Sequence, residues 1–257
     1  MNLTLVGVGL MVVYFTLTAI APLLLSSPRL IIRHPALCLR LWLATFIVAA
    51  TSIALALGLF IALALRHHVI HTPGHDNLGP FIDQLLGWLS IAAVGILAFR
   101  MGVAVQDARA AVSAMNGEFQ TVLSSARIER LGALEFAVVE SEVPLIGARS
   151  SRVIVTTAIL TLLSEGQLAA VLEHERSHIR RKHARILAIA NIAEAIAPAL
   201  SAGKGFASAA RVTAELIADD DAARVYGAAA TADAIEIAYP FEPGVAERVQ
   251  RLRASKF

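Results

Sequence analysis

The chain has 257 residues, of which 57% are hydrophobic and only 16% charged, with a mean hydropathy of +0.68. A soluble domain carries about a quarter charged residues, so the composition excludes an ordinary soluble protein and requires that part of the chain meet lipid. The net charge of +2 and the pI of 9.0 are not a nucleic-acid signal, because Arg and Lys flanking membrane spans produce the same bias by facing anionic head groups.

Residues 3–25 carry no charge and exceed the roughly 20 apolar residues that cross a hydrocarbon core. With no basic start and no small-residue cleavage site, this run reads as a retained span, not a signal peptide. Residues 41–65 form a second span and 81–105 a third, at whose end Arg100 must snorkel to the interface. The first connector holds Arg29, Arg33 and Arg40, whereas the second has Arg66 balanced by Asp76 and Asp83. Positive-inside bias then places the N-terminus outside and the chain after the third span in the cytoplasm, as part of a multi-pass protein of the cell membrane. His67, His68, His71 and His75 crowd the outer connector and read as an ordinary polar loop in preference to a metal trap.

Residues 1–106 are thus a transmembrane helical anchor and 107–257 one cytoplasmic domain. Within the domain, 107–131 reads as helical. Residues 136–139 and 153–157 are β-rich and separated by Pro144 and Gly147, which predicts a hairpin or small sheet. Ser164 and Gln167 fit a capping box that opens a helix from Glu165 to about Ile189. Residues 186–200 are apolar but short, so they form a buried or interfacial helix or a fourth crossing that re-enters. Residues 203–210 read as a flexible link, and the polar tail from Glu242 onward as helical. The fold class is a mainly α membrane protein with three spans, or four, and an α+β domain with a small β-sheet.

Cys38 is the only cysteine, so a metal site here must use His and carboxylates. His174-Glu175-Arg176-Ser177-His178 matches H-E-x-x-H, whose two His, four apart on a helix, point the same way and can grip one Zn²⁺. Glu175 lies beside them as the candidate base. A catalytic zinc takes three protein ligands, and the best third donor is Glu215 in Glu215-Leu216-Ile217-Ala218-Asp219, with Glu173 and Glu194 as weaker rivals. Asp219 shares the face of Glu215 and can hold the second ring N–H of a His ligand. Asp220 and Asp221 read as solvated charge. Arg180, Arg181, Lys182 and Arg185 read as contacts to head groups or substrate, and Arg224 and Tyr226 as candidate oxyanion donors.

Val153-Ile154-Val155-Thr156, Leu168 through His178, the basic exit at Ile179 to His183, Glu215 to Asp219, and the terminal segment Glu242-Pro243 through Arg248 to Leu252 come in a single order. In that order they resemble the membrane gluzincin peptidases of the HtpX and CAAX-prenyl-protease type and of the BlaR/MecR antibiotic-sensor type, the three-span start favouring the latter. The resemblance covers roughly residues 130–253. It implies a zincin-like domain with zinc at His174, His178 and Glu215, and Glu175 and Asp219 as the catalytic pair, Glu175 as base and Asp219 in support. Arg176-Ser177 departs from the small or apolar pair usual between the two His, and Asp221 stands where HtpX-like members often place Arg.

The function so implied is an integral-membrane zinc metalloendopeptidase acting on protein or peptide substrates, membrane-associated or regulatory, in a lipid bilayer and without nucleic acid. The alternative is a catalytically silent zinc-binding membrane scaffold or signalling protein.

Overall fold

A computed structural model describes residues 3–69, 78–124, 126–149, 151–196 and 200–255. The side chains of His67, His68, His71 and His75 lie outside what is described. The chain forms two compact units. One comprises Met1–Leu30, Leu37–Asp107 and Ala190–Ala209, and the other Ile31–Ala36, Ala108–Ile189 and Ala210–Phe257.

The first unit is helical. Three of its helices are long and apolar enough to cross a membrane, over Leu3–Leu25, Pro35–Arg66 and Phe81–Ala110. They lie in α1 (Leu3–Leu25), α3 (Pro35–Val69) and α4 (Leu78–Ser124), with the short α2 (Pro28–Arg33) between the first two. Small residues set the helix approaches. A Cβ at Gly7 would meet the Phe60 ring at 2.7 Å, and one at Gly87 would meet Ala64 Cβ at 2.1 Å. Thr4 donates to Asp83 Oδ1 at 2.8 Å, so this carboxylate is held within the helix bundle instead of balancing a connector.

Residues 190–209 join this unit. Phe206 stacks on Trp42 with ring centroids 5.9 Å apart, and Arg100 donates to the Ala195 carbonyl at 3.1 Å instead of relying on the interface alone. The helix that brings Ala195, α7 (His183–Ile196), has 14 residues, a length of about 21 Å at 1.5 Å per residue, too short to span a ~30 Å core as one straight helix. Residues 203–210 are not a flexible link but part of α8 (Ser201–Tyr226).

The second unit is built on four strands, β1 (Arg127–Leu131), β2 (Leu134–Val139), β3 (Ile146–Arg149) and β4 (Arg152–Thr156), in the order β1-β2-β4-β3. The two apolar runs, β2 and β4, pair in parallel with Phe136 opposite Val153, while β1 and β3 pair antiparallel at the edges. Residues 127–131 are therefore strand and not the end of a helix. Their charged residues suit an exposed edge, and Gly132, at φ +60°, supplies the left-handed residue that a two-residue hairpin turn into β2 requires. Leu134, Phe136, Val138, Val153 and Val155 form one buried face, packed with Ile159 of α5 (Thr157–Leu162). Leu168, Val171 and Leu172 of α6 (Glu165–Arg180) and Ala234 and Ala238 of α9 (Ala228–Ala238) complete this core. A smaller cluster of Ile235, Val245, Val249 and Leu252 seats α10 (Val245–Ala254) on α9.

The capping box at α6 is present in both directions, Ser164 N–H to Gln167 Oε1 at 3.0 Å and Gln167 N–H to Ser164 Oγ at 3.4 Å. The helix expected to run on to residue 189 instead ends at Arg180. Lys182 takes φ 57°, a left-handed conformation uncommon for a residue with a Cβ, and α7 starts afresh at His183.

Candidate metal centre

α6 carries the H-E-x-x-H residues on its inner face, where one turn separates His174 from His178 and their ring centroids lie 4.9 Å apart. The apolar run Leu168 to Leu172 anchors the start of this helix under the sheet, so the polar residues that follow are carried into the interior. His174 is 1% exposed and Glu175 7%. α8 supplies the facing carboxylates. Glu215 Oε2 lies 3.5 Å from His174 Nε2 and Glu215 Oε1 3.6 Å from His178 Nε2, and the two Nε2 atoms are 3.2 Å apart.

One ligand atom from each of His174, His178 and Glu215 lies within 4.8 Å of the others. Two imidazole nitrogens and a carboxylate oxygen that converge are the donor set of a catalytic zinc that keeps one open position. These residues could hold such an ion. Of the rivals, Glu173 pairs with Arg180 at 2.7 Å, and Glu194 is not in the converging group.

The far nitrogen of His174, Nδ1, lies 3.0 Å from Asp219 Oδ1, and Asp219 is fully buried. Arg248 of α10 sits behind both carboxylates, with Nη2 on Asp219 Oδ1 at 2.7 Å and Nη1 on Glu215 Oε2 at 3.2 Å. Burial works against charge in Glu215 and Asp219, but His174 and His178 outweigh it for Glu215, and Arg248 and His174 for Asp219. The Glu215 carboxyl is thereby held well below the usual carboxylate range, and that of Asp219 is lowered as well. Burial likewise opposes a proton on His174, yet Asp219 and Glu215 prevail and raise its pKa to about 10.

Three further residues complete the site. The Tyr239 hydroxyl donates a hydrogen bond to Glu175 Oε1, and burial and that facing carboxylate push its phenol well above the ordinary value, so it keeps its proton. His183 lies beside His178. Glu242 contacts Arg248 at 3.4 Å, and its carboxyl is raised by burial and by Glu215. A cavity of about 470 Å³ opens onto His174, Glu175, His178, Glu215, Tyr239 and Glu242. Ala148 of edge strand β3, and Lys182 and Arg185, also line it.

Several sequence expectations change here. Asp220 and Asp221 are not solvated, at 9% and 5% exposed. Asp220 pairs with Arg251, while Asp221 accepts from Ser177 Oγ at 2.6 Å, Arg180 Nη2 at 2.9 Å, Arg181 Nε at 2.6 Å and Arg224 Nη1 at 2.6 Å. Arg180 and Arg181, half-exposed, are accordingly tied to Asp221, and Arg224 turns onto Asp221 instead of the metal position. Tyr226 packs against the sheet–helix core. Ser177, of the departing pair Arg176-Ser177, contacts Asp221, the other departure from the pattern. Tyr239 carried no local signal, whereas Arg248 and His183 stood inside matched segments without a role.

Comparison with curated proteins and with solved structures gives no match. Residues 145–254 match the model of Peptidase family M48, a run that begins just before β3 and ends with α10. Over residues 145–254 the chain is thus similar to Peptidase family M48, a metallopeptidase family, in a protein whose described residues include three helices apolar enough to span a membrane.

Proposed function

We propose that this chain is an integral-membrane zinc metalloendopeptidase that cleaves membrane-associated or regulatory proteins. In this reading residues 1–106 are the anchor and 107–257 the peptidase domain, on the cytoplasmic face of the cell membrane. The observation that carries it is the convergence of His174, His178 and Glu215 around one point with Glu175 at the same cavity.

His174, His178 and Glu215 would hold the ion. A zinc bound there supplies a Lewis acid that polarises a carbonyl and acidifies water near neutral pH. The remaining work falls to side chains already in place. Glu175 opens on the cavity as general base, taking a proton from the attacking water and returning it to the leaving amine. Tyr239, protonated and bonded to Glu175 Oε1, orients that carboxylate, and once Glu175 has taken up the proton the same O–H is released to negative charge developing on the substrate. Asp219 fixes the ring of His174 from behind. The edge strand β3, which brings Ala148 to the cavity, suits an extended peptide that adds to the sheet as a further strand.

Glu175→Gln keeps the shape of the side chain and removes its basicity. The variant should retain zinc and lose cleavage of a casein-type or membrane-protein substrate. Full activity in Glu175→Gln overturns the mechanism, and a zinc-loaded parent chain that cleaves nothing overturns the enzyme.

A further inference from the structure

His183 Nδ1 lies 3.1 Å from His178 Nδ1, and the two rings meet edge to face, with centroids 4.8 Å apart and planes at 85°. His183 is 1% exposed, so no bulk water competes for this contact. We infer that His183 is a positioning residue, which accepts a hydrogen bond from His178 Nδ1–H and so keeps His178 Nε2 free of a proton and aimed at the metal position. The inference rests on the metal-site reading above and assigns its second half.

The tautomers of the two rings set the direction of this contact. His178 Nε2 faces Glu215 and His174 Nε2, and a nitrogen that donates its lone pair to a metal carries no hydrogen. Neutral His178 then has its hydrogen on Nδ1, which must donate. The nearest ring nitrogen is His183 Nδ1, which accepts only with its own hydrogen on Nε2. The outward nitrogens of the two imidazoles are thus both held, His174 by a carboxylate and His178 by a neutral ring. The outer partner of a metal-bound His fixes its orientation and basicity.

The chain builds this contact by breaking a helix. Five residues along a continuous α-helix turn the side chain about 140° away from the starting face, which would carry His183 off the metal side. Lys182, with φ 57°, ends α6. Its carbonyl accepts from Arg185 N at 3.0 Å and Ile186 N at 3.4 Å and so starts α7. His183 is returned onto His178 by that reversal. A left-handed Lys is locally strained, and bringing His183 to His178 is what that strain accomplishes here.

The test measures zinc affinity of the full chain in detergent by competition with a chromophoric chelator, without reference to cleavage. In His183→Asn the side-chain oxygen takes the place of Nδ1 as acceptor, whereas His183→Leu keeps bulk and has no acceptor. His183→Leu should bind zinc 10- to 100-fold more weakly, and His183→Asn within about threefold of the parent. Parent-like affinity in His183→Leu overturns the proposal, as does His183→Asn falling tenfold or more, since packing alone would then explain the residue. If His183→Leu does not fold, His183→Asn decides by the same limits. A parent chain that binds no zinc removes the metal site and this inference together. One that binds zinc and cleaves nothing removes only the peptidase.

Discussion

Arg248 lays its guanidinium across Asp219, with Nε on Oδ2 at 2.8 Å and Nη2 on Oδ1 at 2.7 Å, while its third nitrogen reaches Glu215 Oε2 at 3.2 Å. One cation on α10 thus grips the carboxylate behind His174 and the carboxylate that faces the metal position. Both members of the pair are buried, Arg248 at 6% and Asp219 at 0% exposure. Burying them carries a large desolvation cost that only a matched geometry offsets, and the forked contact is one that the single ammonium of Lys cannot reproduce.

Arg248→Met should therefore destabilise the second unit by about 3–5 kcal/mol, because it leaves Asp219 charged and buried without its partner. Arg248→Lys should fall between that variant and the parent. Thermal unfolding of the three proteins in one detergent checks the order, and a parent-like Arg248→Met excludes the role assigned to the pair.

Tyr239→Phe should bind zinc as the parent does, since the ring touches the ligand set only at the edge of His174, with centroids 5.8 Å apart. Its turnover should fall on the order of 10²-fold, through loss of the hydroxyl bonded to Glu175. Steady-state cleavage with zinc stoichiometry separates the two effects. An unchanged kcat would leave Tyr239 with packing alone.

The parts of this fold that were legible in the sequence are those set by short-range pattern. Two charge-free runs of spanning length and a third with a charge-free core, the Ser164 capping box and the i, i+4 spacing of His174 and His178 each follow from local geometry. Glu215 and Asp219 could be ranked because they repeat the same spacing. What stayed hidden depends on contacts distant in sequence. Residues 127–131 are a strand because β2 offers them a partner, and nothing within them shows that partner. Asp221 looked like surface charge in a run of three acids until Ser177, 44 residues earlier, and three arginines closed over it. Tyr239 meets Glu175 across 64 residues. The break at Lys182 was missed because neither Gly nor Pro marks it.

Zinc binding should release about one proton at pH 8, taken from His174. In the metal-free chain this ring has a pKa of about 10 against 6.5 for the ordinary group, burial being outweighed by Asp219 and Glu215. A raised value stabilises the metal-free fold fully below about pH 6.5, and that contribution is lost as pH climbs through the folded value. Zinc needs the lone pair that the proton occupies, so apparent affinity should rise about tenfold per pH unit across this window. Calorimetry in two buffers of different ionisation heat measures the proton directly, and a heat independent of buffer would contradict the assignment.

Asp221 should show the opposite sign. Burial alone would raise its carboxyl, but Arg181, Ser177 and Arg180 hold it well below the usual range. A depressed carboxyl contributes stability that is present above the unfolded value near 4 and disappears as pH falls toward the folded one. Its arginine partners are 38% to 56% exposed, so solvent weakens each ion pair, and the buried Ser177 hydroxyl is the contact that water cannot replace. Asp221→Asn should lower the thermal midpoint at pH 7, and its gap from the parent should close between about pH 5 and pH 2. Glu215 and Asp219 titrate in both proteins, so the difference isolates Asp221. A gap that stays constant down to pH 2 would mean that Asp221 acts by shape and not by charge.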